Sequence, residues 1–83
     1  MTYTYKTSGT CSQQIIIDIN DDNTLGDVKF IGGCNGNLKG IAALVKGEKL
    51  DTVINKLEGI TCGFKKTSCP DQLAKALREI KNS

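Results

Sequence analysis

The sequence predicts an α+β fold: a small three-stranded antiparallel sheet followed by three helices packed on one of its faces. Three observations lead there. Apolar residues alternate with period two in the first third of the chain, they recur at helical spacing in the remainder, and Gly32-Gly33 marks the change of period.

In the first strand Tyr3 and Tyr5 alternate with Thr4 and Lys6, which suits a half-buried edge. The second, over 14–20, carries Ile15, Ile17 and Ile19 on one face and Ile16 and Asp18 on the other. Asp21-Asp22-Asn23 is a turn, since these side chains bond their own backbone and tolerate tight geometry. The chain returns over 25–31, with Val28 and Phe30 opposite Asp27, Lys29 and Ile31. The second and third strands are expected to form an antiparallel hairpin.

Three amphipathic stripes follow. Leu38, Ile41, Ala42 and Val45 make the first, with Asn35 or Asn37 able to cap it and Gly47 placed for a left-handed C-terminal residue. Leu50, Val53, Ile54 and Leu57 make the second, ended by Gly59. Leu73, Ala76, Leu77 and Ile80 make the third. Its start carries the clearest signal: Pro70 suits the first helical position and Asp71 suits the positive end of the helix dipole. With 83 residues and no linker or internal repeat, residues 1–83 form one domain with a thin core.

Composition excludes several function classes. Hydrophobic residues are 39% and charged residues 24%, ordinary for a folded chain. A net charge of +2, with aromatics at 5% and no Trp, predicts no DNA partner and no base-stacking surface. The longest apolar run, Ile15-Ile16-Ile17, is far too short to span a membrane. The opening residues lack a charged region followed by an apolar one, so a cytoplasmic location is expected.

In that compartment the four cysteines, Cys11, Cys34, Cys62 and Cys69, need an explanation other than disulfides. In an oxidising one they could pair in about three ways, which sequence does not resolve. Each lies at a seam between expected elements. Inert packing cysteines favour positions inside elements, so the distribution points to a shared site. Cys34 and Cys69 approach helix N-termini, where the dipole favours a thiolate, and Lys65 and Lys66 lie close to Cys69 in the chain. Four thiolates suffice for a closed tetrahedral zinc site or an iron–sulfur cluster. There is no C-x-x-C pair, so the fold itself must assemble such a site. Redox thiols and plain packing are the alternatives.

With no His, the commonest general base is absent and no Ser-His or Cys-His pair exists. The carboxylates at Asp21, Asp22, Asp27, Asp51, Glu58 and Glu79 read as solvated. Gly36, Asn37 and Lys39, in the Gly-rich entry to the first helix, are candidate anion-binding residues, which leaves a nucleotide partner open. The Gly-Lys-Ser/Thr order of a Walker loop is missing, and glycines that permit a sharp strand-to-helix turn are the simpler reading.

Thr67-Ser68-Cys69-Pro70-Asp71, together with Gly32-Gly33-Cys34-Asn35-Gly36-Asn37 and the other two cysteines, resembles the small stand-alone four-cysteine TSCPD domain family over nearly all of the chain. Related domains occur near the C-terminus of cobalamin-dependent ribonucleotide reductases, so the resemblance implies a larger protein partner, with a ribonucleotide reductase the candidate. A more distant similarity is to the NifU/SufE-like group and its iron–sulfur scaffold, through Val45-Lys46-Gly47-Glu48-Lys49-Leu50-Asp51 and the positions of Cys34 and Cys69. Where that scaffold has an Asp and a His, this chain has Gly36 and Ser68. Four cysteines without those two residues imply a tighter site, hence zinc over a transferable cluster. The function expected is a non-catalytic metal-binding module held by all four cysteines.

Overall fold

Alternation gives each strand one face to bury, and the three strands share that face. In a computed structural model, which describes residues 1–10, 12–32, 35–61 and 66–82 (Asn35 by its backbone alone), the strands are β1 (Thr2–Lys6), β2 (Ser12–Ile19) and β3 (Leu25–Gly32). They form one antiparallel sheet ordered β1-β2-β3. Tyr3 pairs with Ile17 and Tyr5 with Ile15, while Ile15 and Ile17 pair onward with Phe30 and Val28. Because paired residues point the same way, this register collects every apolar residue of the alternating sets on one side.

The helices are α1 (Asn35–Val45), α2 (Leu50–Leu57) and α3 (Cys69–Asn82). All three contribute to one cluster with the sheet: Ile15, Ile17, Ile19, Leu25 and Val28 meet Val45, Leu50, Val53, Ile54, Leu73, Ala76 and Leu77. Leu73 and Leu77 are fully buried. Each contributes roughly 1.5–3 kcal/mol by leaving water. The apolar stripes therefore sit where the spacing predicts, with Ile41, Ala42, Leu57 and Ile80 at the half-buried margins.

Connections are tied by backbone bonds. Leu25 donates to the Glu48 carbonyl at 2.8 Å and accepts from Gly47 N–H at 2.7 Å, which fastens the α1–α2 link to the start of β3. The Leu50 N–H, an orphan at the start of α2, donates to the Asn23 carbonyl at 3.2 Å. Gly47 has φ +84°, the left-handed residue expected after α1, and Gly59, which ends the second stripe, has φ +87°. Two boundaries differ from expectation. β2 begins at Ser12, two residues early, because Ser12 pairs with Gly32 across a register shift. Pro70 is the second residue of α3, because Ser68 takes the cap and Cys69 the first position. Among the described residues no helix is long and apolar enough to cross a membrane.

Candidate functional site

α3 starts where it does because of Ser68. Its Oγ accepts from the Asp71 N–H at 3.2 Å, and its carbonyl accepts the first helical bond, from Gln72 N–H at 2.8 Å. Pro70 in the first turn lacks an N–H that would otherwise need a partner. Cys69, between them, is 7% exposed. Its Sγ lies 3.1 Å from the hydroxyl of Ser12, at the start of β2, and either atom can donate.

Around this thiol is a knot of buried polar side chains, each bonded to another. Asp71, 2% exposed, accepts the Gly59 N–H at 2.8 Å on Oδ1 and the Thr67 hydroxyl on Oδ2, with the Lys75 ammonium 3.3 Å from Oδ2. Gln72 donates to Thr67 Oγ1 at 3.0 Å and accepts from the Ser8 N–H at 3.1 Å. Ser68 Oγ donates to the Ile60 carbonyl at 2.6 Å. Gly59 can aim its N–H at Asp71 because it occupies the left-handed region. Gly9, at φ +76°, leaves room for Thr67, whose Cγ2 would be 3.2 Å from an added Cβ.

Burial pushes the Asp71 carboxyl up, but the bonds from Thr67 and Gly59 and the neighbouring Lys75 more than offset it and hold it below the usual carboxylate range. A buried carboxylate is tolerated only when so satisfied. Among the described residues no buried side-chain nitrogen or oxygen lacks a partner. The entry to α3 thus grips two other segments, the β1–β2 loop and the start of β2 through Ser8 and Ser12, and the α2–α3 link through Gly59 and Ile60.

Of the predicted ligands, Cys69 is placed as above; Cys11, Cys34 and Cys62 lie outside the described residues, as do Gly33 and Lys65. Their described neighbours converge. Ser12, next to Cys11 in sequence, touches Cys69 and pairs with Gly32, two residues before Cys34. Ile60, two residues before Cys62, is bonded to Ser68. Among the described residues no group of three or more Cys, Asp or Glu could hold a metal. Lys66 is exposed. Gly36, Asn37 and Lys39 are exposed on the first turns of α1, and a Cβ added at Gly36 would meet nothing within 4 Å.

Sequence reasoning missed Ser12, Thr67 and Gln72, and took Asp71 only as a complement to the helix dipole. Part of the signal for Asp71 was present, since Ser68-x-x-Asp71 is a capping-box spacing that announces a cap at Ser68, although the carboxylate bonds Thr67 and Gly59 and not the Ser68 N–H. Ser12 and Gln72 gave no such signal, because their partners are 57 and 64 residues away.

Compared with known proteins, the chain matches the family model described as TSCPD domain over residues 1–81. Neither a curated protein nor a solved structure matches it.

Proposed function

This chain belongs to the TSCPD domain family, and we propose that it is a metal-binding module whose four cysteines, Cys11, Cys34, Cys62 and Cys69, hold one metal ion. The observation that carries the reading is the convergence at the start of α3. Cys69 is fixed there, and the other three cysteines are one or two residues from Ser12, Gly32 and Ile60. Ser12 and Ile60 each bond a residue at the start of α3, and Gly32 is joined to it through Ser12. Four thiolates complete a tetrahedral zinc site without histidine, of which this chain has none.

Burial favours zinc over a cluster that is handed on. Cys69 is almost closed to solvent, and the groups that hold its neighbours in place are buried with it, which suits a closed structural site. The position of Cys69 at a helix N-terminus favours the thiolate that metal binding requires. A small core gains from such a staple. The module serves a larger protein partner, which the family resemblance makes a ribonucleotide reductase candidate.

Elemental analysis with native mass spectrometry, on protein purified anaerobically without a histidine tag, tests this. About one zinc per chain is expected, with loss of metal and a lower melting temperature when any one of the four cysteines is changed to Ser. A folded, metal-free protein with four titratable thiols overturns the reading.

A further inference from the structure

We infer that Ser12 is a positioning residue for the metal centre: its hydroxyl donates to the Cys69 sulfur, orients it and moderates its negative charge. The inference rests on the metal-binding reading above. Ser12 is 4% exposed, and its Oγ lies 3.1 Å from Cys69 Sγ and 3.2 Å from Thr10 Oγ1. Its carbonyl accepts from Thr7 Oγ1 at 2.6 Å and has Thr10 Oγ1 at 3.3 Å. Each hydroxyl has one hydrogen to give.

Two arrangements of these hydroxyls fit the distances. With Cys69 as a thiol, S–H donates to Ser12 Oγ, Ser12 donates to Thr10, and Thr10 donates to the Ser12 carbonyl. With Cys69 as a metal-bound thiolate, the sulfur can only accept. The Thr7 hydroxyl already serves the carbonyl, so Thr10 is released to donate to Ser12 Oγ, and Ser12 donates to Sγ. The Ser12 and Thr10 hydroxyl hydrogens have an acceptor in both arrangements at the same oxygen and sulfur distances. On metal binding the sulfur–hydrogen bond is replaced by a sulfur–metal bond, and the proton leaves to solvent. The sheet thus presents Cys69 with a donor that is ready for the charged sulfur, the role that outer hydrogen bonds play for metal ligands.

A serine that only ties β2 to α3 would fit the same distances, so the test must read the sulfur itself. Cobalt(II) in place of zinc reports sulfur–metal charge transfer in the near ultraviolet. The unaltered protein, Ser12→Ala, Ser12→Thr and Thr10→Val are titrated with cobalt(II), and the metal-free forms are checked by circular dichroism. In Ser12→Ala the charge-transfer band is expected to move to longer wavelength, as a sulfur without its hydrogen bond is more easily oxidised, and cobalt binding to weaken about tenfold. Ser12→Thr restores both. If Ser12→Ala does not fold, Thr10→Val carries the test, with a smaller shift in the same direction. An unaltered band and affinity in Ser12→Ala, or in Thr10→Val if that variant carries the test, while the parent protein binds cobalt, overturns the inference alone. A parent protein that takes up no cobalt overturns the metal reading and this inference with it.

Discussion

α1 and α3 both begin beside a cysteine, yet they are held in different ways. α3 has a serine cap, an acid in its first turn, Lys81 in its last, and a run from Cys69 to Ala74 in which only Pro70 is not buried. α1 has no acid in its first turn and no base in its last, and it carries Gly36 and Gly40. It packs against β3 and buries Leu38 and Val45, while Leu44 is 80% exposed. The comparison shows a division of labour: α3 organises the site by its own sequence, whereas α1 takes its place from the surface beneath it. Helical stability comes mostly from such packing when propensity is poor.

The largest test of this contrast is in the core. Leu77→Ala is expected to cost about 3 kcal/mol, because a fully buried leucine leaves both lost transfer energy and a cavity. Leu38→Ala should cost clearly less, since Leu38 is 6% exposed and lies outside the main core cluster of the described residues. Thermal melts of the two variants decide it, and equal losses would show α1 to be as integral as α3.

Next is Asp71→Asn, expected to lose about 2 kcal/mol at neutral pH by weakening bonds to Thr67, Gly59 and Lys75. The folded carboxyl titrates below its ordinary value of 3.8, so its stabilisation is full above that pH and is lost as pH falls through the lower folded value. Melting temperatures of the metal-free parent and variant should therefore converge in acid below about pH 4. A gap that persists there would mean that the charge is not what Asp71 contributes.

The smallest effect is a gain. A Cβ at Gly40 would meet nothing within 4 Å, so Gly40→Ala should stabilise the domain by roughly 0.5–1 kcal/mol through the entropy of the unfolded chain. A loss in chemical denaturation would sharpen the comparison differently, by showing that α1 keeps its glycines for a close approach from outside the described residues.

What the sequence made legible, and what it did not, divides along range. Tyr3, Tyr5, Ile15, Ile17, Val28 and Phe30 declare their face by alternation, and Leu73, Ala76 and Leu77 by helical spacing, because one side must be buried. Gly47 and Gly59 are local signals as well. The site's polar scaffold was not readable in this way. Thr67 and Gln72 bond each other, Gln72 also accepts from Ser8, and nothing near Ser8 in the chain hints at Gln72. The placement of Pro70 failed by one residue because Pro suits either of the first two positions once Ser68 supplies the cap. Cys69 was identified as a cap-adjacent thiol from its neighbours, while its contact with Ser12 depends on the folded sheet.

The separation of those partners sets an order on folding. The hairpin of β2 and β3 closes over a short turn, whereas the bonds from Ser8 to Gln72 and from Ser12 to Cys69 join chain positions 64 and 57 residues apart. Distant pairs bear the loop-closure entropy before any contact rewards them, so the knot at the start of α3 closes late. The Ser8 amide, held only by that closure, serves as a natural clock for it: the rate at which this hydrogen exchanges with solvent reports how often the two ends of the chain let go of each other.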